Sequence, residues 1–176
     1  MTPYRRQLGL SAIELMATLL IVAVVAAIAI PNFASMMRSD RARAQAGLLA
    51  DALQYARSEA VTRGLQVGVS SVNGDQNWDR GWFVWSDTNG DGVYTAGTDT
   101  QLRVQSAFSG TATLQNANNF TVLFSPTGSL AGVPQMNASN EMVFQYRANN
   151  NDCSLGKDIS VNLVGRIFVA KQAGCP

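Results

Sequence analysis

Histidine is absent from all 176 residues and cysteine occurs only as Cys153 and Cys175, so the side chains that most often move protons or attack carbonyls are nearly missing. No serine has an activating partner in the sequence pattern, and we expect no enzyme, no catalytic residue and no cofactor. The residue whose placement most demands a chemical explanation is Glu14. It lies inside an otherwise uncharged run from Leu10 to Ile30, twenty-one residues that as a helix span about 31 Å, the thickness of a bilayer's hydrocarbon core. An unpaired carboxylate in lipid costs on the order of 2–3 kcal/mol or more, so a cationic partner is implied.

Arg5 and Arg6 precede the run, which by the positive-inside rule keeps the first nine residues cytoplasmic and sends everything after Ile30 outward. A secretory signal peptide is the competing reading, and Ala27-Ile28-Ala29 matches a small-residue cleavage site. Against it stand the length of the apolar run and the acid inside it, since a signal peptide gains nothing from Glu14.

The same residues resemble the type IV pilins and pseudopilins. A short basic leader ends in Gly9, the first residue after it is the apolar Leu10, glutamate stands at the fifth position as Glu14, and Pro31 closes the apolar core in Ala29-Ile30-Pro31-Asn32-Phe33. The resemblance implies that a prepilin peptidase cuts between Gly9 and Leu10 and methylates the new amino terminus of Leu10. The chain reads Leu-Ser-Ala-Ile where the family usually has Phe-Thr-Leu-Ile. It also supplies a partner for Glu14: the α-amino group of a neighbouring subunit's Leu10, a pairing that would fix axial register when helices bundle. The alternative for Glu14 is a residue that merely flanks the membrane segment at the interface.

The elements that must carry these residues follow from periodicity. After Pro31, expected to kink the helix rather than end it, small and apolar residues recur as Ala42, Gln45, Leu49, Leu53, Ala56 and Ala60, one amphipathic face. Gly64 stands where a C-terminal cap belongs. Arg38, Arg41 and Arg43 read as a solvated surface near the membrane, with contact to lipid head groups as the alternative. Beyond Gly64 the pattern alternates, predicting strands at Gln66–Val72, Trp82–Ser86, Leu102–Gln105, Thr121–Ser125, Met142–Ala148, Ile159–Val164 and Ile167–Lys171, with turn residues between them. The expected fold class is α+β: a long N-terminal helix with a hydrophobic first half, packed against an antiparallel β-sheet domain. Its divisions are a leader at 1–9, a helix at 10–64 that is transmembrane over about 10–30, and a β-rich domain at 65–176.

Within that domain, Gly81-Trp82-Phe83-Val84-Trp85-Ser86-Asp87, Leu102-Arg103, Phe124-Ser125-Pro126-Thr127-Gly128 and Gly165-Arg166 are similar to motifs of the GspH/FimT/FimU group of minor pilins and minor pseudopilins. Trp82 with Val84 and Phe83 with Trp85 fall on opposite faces of one strand. We expect one face to pack on the helix and the other to lie under a neighbouring loop.

Two further candidates are local. Asp87, Asn89 and Asp91 in Asp-Thr-Asn-Gly-Asp-Gly copy the opening of a calcium loop, but Thr98 occupies the twelfth position where a bidentate glutamate should close it, so Asx turns are preferred and no metal site is expected. Cys153 and Cys175, an even count in an extracytoplasmic region, read as a disulfide closing a loop of about 23 residues, which stabilises by about 3 kcal/mol in the chain-entropy model.

Bulk charge argues against nucleic acid. The formal charge is +1, removal of Arg5 and Arg6 leaves 11 basic against 12 acidic side chains, and from Leu65 onward six basic residues face eight acidic ones. FimT proteins carry a C-terminal Gly-Arg-x-Arg element for DNA; here Phe168 takes the second arginine, leaving Arg166, with Lys157 and Lys171, as the candidate cluster. The resemblance thus implies a minor pilin of FimU type that helps initiate a type IV pilus. The alternatives are minor pseudopilin H of a type II secretion system and, lower, a FimT-like DNA-binding pilin for transformation. Implied partners are other minor and major pilins or pseudopilins, the prepilin peptidase and the inner-membrane assembly platform. The implied location is the bacterial inner membrane, single-pass with the domain in the periplasm, and then the filament.

Overall fold

The computed structural model describes residues 11–116, 121–132, 136–149 and 154–172. It divides into two compact units, Met1–Ser39 and Asp40–Pro176. One helix, α1 (Ala12–Arg63), contributes to both, and its helical assignment continues through Pro31. It ends where the sequence places the cap: Gly64 takes φ +66° and its N–H donates to the Ala60 carbonyl at 3.0 Å.

In the first unit the described side chains are almost all exposed, including Ile13, Leu20, Val25 and Ile30. Its polar side chains turn back on the helix itself. Thr18 Oγ1 donates to the Leu15 carbonyl at 2.9 Å, Asn32 Nδ2 to Ile28 at 3.1 Å and Ser35 Oγ to Asn32 at 2.8 Å. From Leu15 to Met37 the helix is otherwise apolar, and with Thr18, Asn32 and Ser35 bonded to its own backbone it is built for a non-aqueous or close-packed surrounding.

In the second unit the α1 face bearing Ala42, Ala46, Leu49, Leu53, Ala56 and Ala60 is buried. Alanine at four of these six positions keeps the helix surface low, so strands approach it closely. Eight strands follow: β1 (Val67–Ser71), β2 (Gly81–Ser86), β3 (Thr100–Ser106), β4 (Thr113–Gln115), β5 (Thr121–Phe124), β6 (Glu141–Arg147), β7 (Lys157–Asn162) and β8 (Ile167–Lys171). They form two four-stranded antiparallel sheets in the orders β3-β2-β1-β5 and β4-β6-β7-β8. The fold is thus α+β with a long N-terminal helix, and the β portion is two sheets. Seven of the eight strands coincide with the alternating runs; β4 and the 3-10 turn Trp78–Arg80 do not appear among them.

One continuous core joins the helix face to Val67, Val69, Trp82, Val84, Val122 and Phe124 of the first sheet and to Met142, Phe144, Ile159 and Val161 of the second. Aromatic edges bridge the sheets: Trp78 meets Phe144 at 4.8 Å, and Phe108 meets both Trp82 at 5.7 Å and Tyr146 at 6.0 Å. The Tyr146 hydroxyl donates to Gln45 Oε1 at 2.5 Å, which explains a glutamine inside the apolar stripe. Burial raises the Tyr146 pKa, opposed in part by the positive charge of Arg41.

Candidate assembly site

The amino end of α1 carries the residue that the sequence singles out. Ser11 caps the helix, its Oγ accepting the Glu14 N–H at 3.3 Å while its carbonyl accepts the N–H groups of Glu14 at 3.1 Å and Leu15 at 3.2 Å. Glu14 therefore sits in the first turn, three residues after a serine cap, at the acidic position of a capping-box spacing and at the positive end of the helix dipole. The Ser-x-x-Glu spacing was legible in the sequence and adds a local reason for the acid. It does not neutralise it. Glu14 is the single formally charged side chain between Ser11 and Met37, and the one ion pair among the described residues is Glu59 with Arg63, one turn apart. Gly9 and Leu10 lie outside the described residues, as do Cys153 and Cys175.

The Asp87 loop has its carboxylates already in use. Asp87, 1% exposed, accepts the Gly90 N–H on Oδ1 at 2.7 Å and the Gly92 N–H on Oδ2 at 2.8 Å. Asp99 closes the other side, accepting Thr88 N–H at 2.9 Å and Thr95 N–H at 2.7 Å. Asp91 accepts the Val93 N–H at 2.8 Å and an amide hydrogen from Asn89 at 2.7 Å. Both oxygens of Asp87 and both of Asp99 accept a backbone N–H, so these acids organise the loop.

What the loop delivers is Tyr94. Its ring meets Phe83 at 4.8 Å and Trp85 at 5.6 Å, covering the β2 face that points away from the main core. Beneath it Trp85 lies flat over Gly68, where an added Cβ would fall 2.4 Å from the ring, and its indole N–H donates to Ser70 Oγ at 2.9 Å. Trp82 and Val84 face the core, so both halves of the alternation find the cover expected of them.

The two late motifs meet at one place. Arg57 of α1 donates from Nε to the Gly128 carbonyl at 2.8 Å and from a terminal nitrogen to the Val164 carbonyl at 3.4 Å. Gly128 and Gly165 both have positive φ, +79° and +75°, and a Cβ on Gly165 would stand 2.0 Å from the Gly128 carbonyl oxygen. Leu130 N–H also donates to the Leu163 carbonyl at 3.0 Å, so the turn after β5 and the turn before β8 are laced together over one guanidinium. Nothing in the sequence pattern marks Arg57 for this role, because its partners are 71 and 107 residues away.

The candidate cation cluster is not assembled. Lys157 and Lys171 are cross-strand partners at one end of the β7–β8 hairpin, whereas Arg166 precedes β8 at the turn end, five residues or about 16 Å along the strand. Arg166 places its guanidinium 4.6 Å from the Phe168 ring centroid, so the residue that departs from Gly-Arg-x-Arg holds the arginine that remains.

An apolar, anchor-length helix whose continuation is buried against two antiparallel sheets defines a pilin-like filament subunit. A family profile described as Type II transport protein GspH matches residues 45–165, more than half of the chain, and the protein belongs to the GspH family of minor pilins and pseudopilins. Two crystal structures of the type IV minor pilin FimU of Pseudomonas aeruginosa share its fold. One, in space group P65, is 22% identical with a TM-score of 0.53, covering 80% of this chain and 96% of that one. The other, in space group P21, is 22% identical with a TM-score of 0.54, covering 80% and 91%. No curated protein matches the chain. The family is one of structural subunits that assemble with other pilins or pseudopilins, and this chain is a membrane-anchored pilin with a globular domain.

Proposed function

We propose that the protein is a minor pilin of FimU type, which enters a type IV pilus and helps initiate it. Leader residues 1–9 are removed by prepilin peptidase at Gly9, Leu10 is methylated, residues 10–30 anchor the chain in the inner membrane, and the domain at 65–176 folds in the periplasm, stapled by Cys153 with Cys175. The observation that carries the reading is Glu14, the single formally charged side chain between Ser11 and Met37, on a stretch of α1 where Thr18, Asn32 and Ser35 bond back to the helix backbone. Its partner is the α-amino group of a neighbour's Leu10, delivered when the assembly platform extracts subunits from the bilayer. Glu14→Ala should leave membrane insertion and folding intact while reducing incorporation. Equal recovery of wild type and variant in sheared filaments, and equal copurification with partner pilins, would return Glu14 to an interfacial or capping role.

The second reading is minor pseudopilin H of a type II secretion system, favoured by the description of the family profile. A secretion defect without a pilus defect in a deletion strain would select it. A FimT-like role in DNA uptake is lower, because Arg166 is held over Phe168 and lies far from the lysine pair.

A further inference from the structure

Strand β8 is the last of its sheet, bonded to β7 on one side and to no strand among the described residues on the other. Its core-facing side is unfinished. Ile159 and Val161 of β7 are fully buried, but their β8 neighbours on the same face are the half-buried Ile167 and Val169, the latter 48% exposed. The apolar layer therefore runs past the sheet edge uncovered within one strand spacing, about 4.8 Å. On the helix side Val61 is 54% exposed, and Val164, at the turn between, is 63% exposed. Between them lies a groove of about 520 Å³ lined by Gln54, Arg57, Val61, Arg166 and Ile167 among others.

The charge of this groove has one sign. Arg57 is fixed in its wall by two carbonyls and Arg166 stands at its mouth, and among the described residues no carboxylate lines it. The nearby Glu59 is engaged with Arg63. The chain's own Asp87–Asp99 loop is no candidate occupant, since its buried acids are held by backbone N–H groups.

We propose that this groove and the free edge of β8 receive an extended acidic segment of a neighbouring filament subunit, added as a fifth strand with a carboxylate set against Arg166. This rests on the pilin reading above and names the surface through which the periplasmic domain meets its neighbour. A free strand edge offers alternating N–H and C=O groups that an extended peptide completes, the exposed valines supply the apolar contact, and the Arg166 guanidinium, in no ion pair among the described residues, selects for acid. A nucleic acid matches the charge but neither the strand edge nor the valines.

The test is photocrosslinking in cells that assemble filaments, with p-benzoylphenylalanine in the full-length protein at Val169, at Val61, at Val104 on the opposite sheet edge, and at Ile21 in the anchor helix. Crosslinks from Val169 and Val61 to another pilin, mapping to an extended segment that contains Asp or Glu, are the expected result. Arg166→Glu should lower their yield about fivefold, and Arg166→Lys should restore most of it. Crosslinks from Ile21 without any from Val169 and Val61 would overturn the docking surface while leaving the pilin reading intact. Absence from all four positions would count against both. Crosslinks from Val169 to DNA, or to a helical segment, or yields unchanged by Arg166→Glu, would also overturn it.

Discussion

Replacing Gly165 by alanine perturbs the junction at which helix, turn and strand converge. The new methyl carbon would stand 2.0 Å from the Gly128 carbonyl oxygen, more than 1 Å inside normal contact, and would hold a side chain at φ +75°. The left-handed backbone alone costs about 1 kcal/mol. Moving the Gly128 carbonyl away weakens its 2.8 Å hydrogen bond from the Arg57 guanidinium, a charged bond worth about 2 kcal/mol. Together the loss is about 3 kcal/mol, which for a unit of the size of Asp40–Pro176 lowers Tm by about 10 °C. The assay is thermal unfolding of the full chain in detergent, followed by tryptophan fluorescence, since Trp78, Trp82 and Trp85 are all fully buried. A Tm within about 2 °C of wild type would refute the idea that the two glycine turns are packed carbonyl to Cα over Arg57.

Gly47→Ala, in mid-helix where an added Cβ meets nothing within 4 Å, should raise stability by about 0.8 kcal/mol in the same assay. Asp87→Ala should cost about 3 kcal/mol by orphaning two N–H groups, perturb the Trp85 signal through Tyr94, and leave wild-type Tm insensitive to calcium; a calcium-induced rise of several degrees in wild type would show that the loop opens to bind metal. Because burial raises the Tyr146 pKa, its stabilising contribution is complete below the ordinary tyrosine value near 10 and is lost as pH rises through the folded-state value. Alkaline titration should therefore destabilise wild type more steeply than Tyr146→Phe, and parallel curves would contradict this.

Sequence legibility followed the range of the interactions. The end of α1 at Gly64 and most strands were readable because a cap and an alternation are local. Strand β4, three residues long, is too short to alternate, and Trp78 is buried by a 3-10 turn that has no period of its own. The split into two sheets depends on which distant strands pair, which no local pattern encodes. The late glycine motifs were visible, yet their meeting over Arg57 was not. Lys157, Arg166 and Lys171 looked like one cluster because they are near in sequence, but an antiparallel hairpin sends its turn and its open end in opposite directions. The Asx hydrogen bonds of the Asp87 loop, such as Asp91 accepting the Val93 N–H, are local and follow from its Asp, Asn and Gly spacing.

The central claim is that this chain is processed and assembled as a pilin, and intact-mass and N-terminal peptide analysis of the protein recovered from membranes tests it most directly. The account predicts a mature chain that starts at Leu10 and carries one added methyl group on its α-amino nitrogen, with the leader retained when Gly9 is replaced by a bulky residue. A chain starting at Ile30, or one still starting at Met1 in cells with an active prepilin peptidase, would contradict it.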